Sequence, residues 1–213
     1  SFGTYSSNVY RNFGTGDIND DTDISVIAFD RDLADPRQDQ ILFLGTSPSQ
    51  KEKVRLVGFG CNNLETKLGA GVKRTGTNQV YRVTNFIQLL TPVSQTNSRA
   101  LIGAENRTGA CFGDSGGPLI REASDGNEII GISHSGGVSG NLYASYYVNL
   151  NQERNLNFLR EIDGDLDLKI FDPCNKKNAS SLSCNLDSAS MQLMSFLKAV
   201  WQSLKGVTHL CGV

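Results

Sequence analysis

Nine residues constrain this chain more than any other stretch: Cys111-Phe112-Gly113-Asp114-Ser115-Gly116-Gly117-Pro118-Leu119. One serine stands between glycines, beside an aspartate, and an apolar run, Pro118-Leu119-Ile120, follows at once. Gly116, Gly117 and Pro118 are poor helix formers, so the serine turn must open into extended chain rather than a helix. A serine hydroxyl attacks a carbonyl only when a base takes its proton and fixed donors meet the developing oxyanion. Glycine at Gly113 lets the backbone turn so that its amide and that of Ser115 can point at one spot. Bare glycines beside the serine leave room for an approaching backbone. Ser115 is therefore a candidate nucleophile, with the amides of Gly113 and Ser115 as candidate oxyanion donors.

The rest of the chain reads mostly as short strands separated by turns. Residues 1–22 are polar and aromatic and end in an acidic loop, Asp17 to Asp21. An apolar run headed by an aspartate follows, Asp23-Ile24-Ser25-Val26-Ile27-Ala28-Phe29. A charged linker from Asp30 to Asp39 leads to Ile41-Leu42-Phe43-Leu44, and then to Val54-Arg55-Leu56-Val57-Gly58-Phe59-Gly60. Leu68 to Asn78 is glycine-rich and polar, a loop by composition, and Gln79 to Leu90 is apolar and β-branched enough for a strand or two. Glu128 to Ser133 and Leu142 to Val148 are two more strands, with the glycine-rich Ser135 to Gly140 between them. Leu156, Phe158, Leu159 and Ile162 place a short helix over Leu150 to Ile162. In the tail, Leu193, Phe196, Leu197, Val200, Trp201 and Leu204 recur at helical spacing. A helix docked by that apolar stripe is the simpler reading there, a partner-binding helix the other.

The run from Cys111 to Leu119 resembles the nucleophile motif of the trypsin/chymotrypsin family of serine peptidases, and Gly71 to Asn78 resembles bacterial members. The resemblance covers roughly residues 2–162. It implies an all-β, chymotrypsin-like double β-barrel with the second barrel complete and the first only partly present, a closing helix, and a helical C-terminal extension. Its domains would be residues 1–35 (the last part of the first barrel), 36–50 (the crossover), 51–162 (the second barrel and closing helix) and 163–213 (the extension). Asp23 heads the strand that resembles the family's catalytic-aspartate strand, and Asp23 before Ser115 fits the last two members of the order His, Asp, Ser. Asp114 resembles the aspartate that receives the amine terminus released on zymogen cleavage. Gly109, Ala110, Phe112, His134, Gly136 and Asn141 fall where the family binds substrate. No acidic residue stands at Gly109 or Ala110, so a preference for Lys or Arg is not implied. An apolar or aromatic side chain is expected, and His134 leaves room for an acidic one. Gly58-Phe59-Gly60 resembles a turn that the family keeps near the active site, beside Phe112, and a Cys61–Cys111 bridge is the expectation.

One catalytic part is missing. No histidine lies between Ser1 and Asp23, and the two present are His134 and His209. His134 falls in a segment that resembles the substrate-binding strand, where a role lining the site or contacting Asp23 is expected. The expectation is the C-terminal chain of a processed two-chain endopeptidase, inactive alone, with an N-terminal polypeptide of the same precursor carrying the histidine. Two other readings stay open. One is a catalytically silent, protease-like binding module. The other is an esterase, because Gly113-Asp114-Ser115-Gly116-Gly117 also fits Gly-x-Ser-x-Gly, although that elbow must open into a helix. Substrate would be protein or peptide. A net charge of −2 gives no electrostatic case for nucleic acid or an anionic membrane. No C-x-x-C pair accompanies the five cysteines, so no structural metal is expected, and the chemistry needs no cofactor. Disulfides with one thiol left over suit a secreted or otherwise extracytoplasmic setting. The tripeptides at Asn106 and Asn178 fit a glycosylation pattern too common to decide anything.

Overall fold

In the computed structural model the chain divides into two compact units, Ser1–Phe171 and Asp172–Val213. The structure describes residues 7–15, 17, 19–29, 43–93, 107–124 and 126–166, all in the first unit. The tail helix expected around Leu193 to Leu204, with Cys174, Cys184, Cys211 and His209, lies outside the described residues, as do Asn106 and Asn178.

A closed barrel of six antiparallel strands dominates. Its members are β4 (Lys53–Gly58), β5 (Arg74–Val83), β6 (Phe86–Pro92), β7 (Pro118–Ala123), β8 (Gly126–Ser139) and β9 (Leu142–Asn149). The sheet runs β8-β7-β4-β5-β6-β9, and β9 returns to pair with β8, which closes it. A short strand, β3 (Phe43–Leu44), adds to β8 in parallel. Alternation explains the closure: in β6, Ile87, Leu89 and Thr91 face inward while their neighbours are only partly covered. Val54, Leu56, Val80, Leu119, Ile130 and Tyr147 join Ile87 and Leu89 in the barrel core. The fold is therefore chymotrypsin-like and all-β in its body.

Two strands run further than composition suggests. β5 begins at Arg74, inside the stretch expected to be a loop, because Arg74 to Gln79 pair with Gly58 to Lys53. β8 continues through the glycine-rich Ser135 to Ser139, held by pairing with β9, and the loop shrinks to Gly140 and Asn141. Gly140 (φ 60°) takes the first central position of that turn, which a side chain would strain. The strand after Ser115 is β7, as Gly116-Gly117-Pro118 requires.

Outside the barrel, β1 (Ser7–Phe13) and β2 (Ile24–Phe29) form a two-stranded antiparallel sheet. The helix α1 (Glu153–Leu166) fastens it to the barrel. Phe13 stacks on Phe158 of α1 with ring centroids 4.7 Å apart. Ile24, Val148, Leu150 and Leu159 form a shared apolar cluster. Asn155, fully buried, donates to the carbonyls of Asp21 (3.0 Å) and Asn149 (2.9 Å), and Arg154 pairs with the buried carboxylate of Asp21. Helix, hairpin and barrel are thus tied at the loop that leads into Asp23.

Candidate active site

Asp23 owes its place to the loop before it. Asp20 accepts from the backbone and hydroxyl groups of both Thr15 and Thr22, and these bonds, Thr15's backbone first, hold its carboxyl well below the usual carboxylate range. The amide of Asp23 in turn donates to the Asp20 carbonyl at 3.3 Å. Asp23 then begins the chain into β2, facing β8, where His134 Nε2 lies 3.6 Å from its Oδ2. That nitrogen also lies 3.2 Å from the Asp17 carbonyl oxygen. A carbonyl can only accept, so Nε2 carries the hydrogen. The His134 side chain is 4% exposed, while that of Asp23 is 40% exposed. The other ring nitrogen, Nδ1, is buried with no hydrogen-bond partner among the described residues. Phe86 packs on the ring at 5.3 Å between centroids.

Ser115 stands across the same space. A cleft of about 530 Å³ is lined by Asp23, Ser25, Ser115, Gly116, Ser133 and His134, among others. The turn that presents Ser115 is set by glycines in the left-handed region, Gly113 (φ 95°) and Gly116 (φ 79°). It is latched by Asp114 N to Cys111 O (3.0 Å), Gly117 N to Asp114 O (2.9 Å) and Gly116 N to Ser133 O (2.8 Å). Among the described residues no acceptor meets the amide of Gly113 or of Ser115.

Behind the serine the Asp114 carboxylate turns inward. Its Oδ1 accepts from the Gly60 amide at 2.6 Å and its Oδ2 from the Cys111 amide at 2.8 Å. This close approach explains the Gly58-Phe59-Gly60 motif: a Cβ on Gly58 would fall 1.9 Å from Asp114 Oδ1, and one on Gly60 2.5 Å from its Cγ. Cys61 and Cys111 form a disulfide, so the two segments that cradle Asp114 are covalently joined. Asp114, Gly109, Ala110, Arg74 and Tyr147 border a second cavity of about 250 Å³. Burial, then the Asp114 charge, pushes the hydroxyls of Tyr143 and Tyr147 above the usual tyrosine range; for Tyr147 a hydrogen bond with Ser133 partly offsets this.

The candidates taken from the sequence thus fall into separate places. Asp23, Ser115 and His134 share the cleft. Gly109 and Ala110 border the Asp114 cavity. Phe112 is 56% exposed, its ring under the Lys67 ammonium at 4.3 Å. Asn141 sits at the tip of the β8–β9 turn, where its carbonyl accepts from the Val93 amide, and lines neither cavity. Tyr143, which the sequence reading passes over as a strand residue, is buried against Gly109 and Gly136. Among the described residues no group of three or more His, Cys, Asp or Glu is placed to hold a metal ion.

A family model described as Trypsin matches residues 4–156, well over half of the chain. The chain belongs to the Trypsin family. Its fold is also that of solved structures. A double mutant of human heparin binding protein (CAP37) is similar at 15% identity and a TM-score of 0.56, over 77% of this chain and 68% of that one. A single mutant of the same human protein is similar at 17% identity and a TM-score of 0.54, over 78% and 69%. At such identities the likeness is one of fold. No curated protein sequence matches the chain. Family membership gives the serine-protease kind of fold, and Ser115 and Asp23 stand in one cleft of it.

Proposed function

We propose that this chain carries the nucleophile and the aspartate of a serine endopeptidase, and that the general-base histidine comes from a segment outside this sequence. What carries the reading is the meeting of Ser115 and Asp23 in one cleft. Ser115 would attack the peptide carbonyl and form an acyl-enzyme while those amides stabilise the tetrahedral oxyanion. Water would then release the acyl group. Asp23 would hold the incoming imidazole by its Nδ1–H, and its part-exposed carboxylate leaves an edge for that ring. His134 would act as a positioning residue for Asp23: its Nε2 hydrogen-bonds the Asp17 carbonyl and lies 3.6 Å from the Asp23 carboxylate.

The histidine-bearing partner would be an N-terminal polypeptide of the same precursor. It would add strands to the β1–β2 sheet, since two strands alone do not close a barrel. In such a processed enzyme Asp114 and the cavity it borders would take the released amine terminus. The disulfide suits an oxidising, extracytoplasmic location, and no helix among the described residues is long and apolar enough to cross a membrane.

A silent binding module on the same fold is the second reading. The observation in its favour is that the histidine reaching Asp23 within this chain is His134, on the substrate-side strand. Heparin binding is named for the human proteins above; the net charge of −2 gives no electrostatic case for an anionic partner here. Against an esterase elbow stands β7, a strand where a helix is needed. Peptide hydrolysis by the protein with all its chains tests the proposal. Ser115→Ala and Asp23→Asn should each lower kcat by about 10³-fold or more. Unchanged turnover in both variants would end it.

A further inference from the structure

The glycines at Gly109 and Gly136 suggest an open pocket in the sequence, yet a side chain already stands between them. Tyr143 projects from the start of β9 and is only 7% exposed. A Cβ on Gly136 would fall 2.1 Å from its Oη and 2.6 Å from its Cζ. A Cβ on Gly109 would fall 3.1 Å from its Cδ1. The ring therefore spans the gap between the two glycine segments. It forms a buried cluster with Cys61 and Cys111, against which Leu64 and Val93 pack. The lining of the cleft at Ser115 includes neither glycine, and follows β8 only as far as Ser135, one residue before Gly136.

We infer that Tyr143 fills the primary side-chain pocket and restricts the residue on the acyl side of the scissile bond to small side chains, glycine, alanine or serine. The inference rests on the reading of Ser115 as nucleophile. A substrate laid along the exposed edge of β8 would pass Gly136, and its side chain would turn in toward Gly109. A hydrogen, methyl or hydroxymethyl group can rest on the phenol. An aromatic or long side chain must displace a buried ring held on both sides. The aromatic guest expected from the sequence thus has no room while Tyr143 is in place. Discrimination between a methyl and a benzyl group should then exceed the roughly 10- to 200-fold that a single methylene commands.

The test is hydrolysis of two peptide anilides that differ only in alanine or phenylalanine at that residue, by the protein with every chain bound to it. Wild type should prefer alanine by more than about 200-fold in kcat/KM. Tyr143→Ala, and Tyr143→Leu as the variant that keeps apolar burial if the first does not fold, should narrow that ratio at least tenfold. Equal use of both substrates by wild type, or an unchanged ratio in a folded variant, would overturn the inference and leave the nucleophile intact. If neither protein cleaves either substrate, Ser115 is judged separately by fluorophosphonate labelling, and the pocket alone by titrating p-cresol into isotope-labelled wild type and variant. Saturable shifts at the Gly109, Gly136 and Ser135 amides, confined to the variant, are expected. No shift there, or equal shifts in wild type, overturns the claim that the ring fills this pocket.

Discussion

Replacing Cys61 and Cys111 together by alanine should cost this protein about 4 kcal/mol, the loop-closure entropy for the 50-residue separation that the bridge spans. Both residues are buried, at 5% and 6% exposure, so the lost sulfur contacts add to that figure. For a chain of this size the melting temperature should fall by about 8–16 °C. The double variant is a cleaner perturbation than a reductant, because it leaves Cys174, Cys184 and Cys211 untouched. Equilibrium unfolding in guanidinium, followed by far-UV circular dichroism, gives the free energy by linear extrapolation. The free energy and not the midpoint alone must be compared, since an unfolded chain that loses a cross-link exposes more surface and steepens the slope. The damage should also reach the serine turn, because the bridge joins the Gly60 and Cys111 amides that hold the Asp114 carboxylate. A loss below about 1 kcal/mol would refute the reasoning, for it would mean that the bridge closes no loop that is open in the unfolded chain.

Three further outcomes follow from the contacts around the site. Asp20 is a stronger acid folded than unfolded, so the stability it contributes is complete above its unfolded value of about 4 and is lost as pH falls below it. The stability gap between wild type and Asp20→Asn should therefore be wider at pH 6 than at pH 3, and an equal gap at both would contradict this. Arg154→Ala leaves the buried Asp21 carboxylate without its cation and should lower stability by about 1–3 kcal/mol, measured by urea unfolding. An effect no larger than that of an exposed pair, about 0.5 kcal/mol, would show that the tie is superficial. Gly58→Ala puts a methyl 1.9 Å from Asp114 Oδ1; it should displace the carboxylate, cost about 1–3 kcal/mol, and slow fluorophosphonate labelling of Ser115. Labelling at the wild-type rate would mean that the Asp114 latch does not shape the serine turn.

What could be read from the sequence was whatever depends on local backbone chemistry. The run from Cys111 to Leu119 states its own turn: Gly113 and Gly116 take the left-handed conformations that bare glycines permit, and Pro118 starts a strand. The Cys61–Cys111 bridge, expected through the resemblance, is present. Strands whose existence depends on a partner were harder. Ser7–Phe13 lacks a clean alternation and becomes β1 by pairing with β2. Ser135 to Ser139 reads as a loop by composition and is a strand because β9 pairs with it. Helix α1 spans Glu153–Leu166 against the expected Leu150 to Ile162, starting later and running a turn further, through Gly164, a poor helix former. Tyr143 was invisible for a different reason: which way a ring in β9 points, and that its hydroxyl abuts Gly136, is decided by tertiary packing. The 3.6 Å approach of His134 to Asp23, which joins residues 111 positions apart across the hairpin and the barrel, is expected through the resemblance and not from the spacing of the residues.

Denaturing intact-mass spectrometry of the purified protein after fluorophosphonate treatment tests the central claim most directly. The expected result is one probe adduct on the chain that carries Ser115, lost in Ser115→Ala, together with a histidine-bearing segment either on that chain or co-purifying with it. A sample that contains such a segment and takes no adduct, or an adduct that persists in Ser115→Ala, would contradict it.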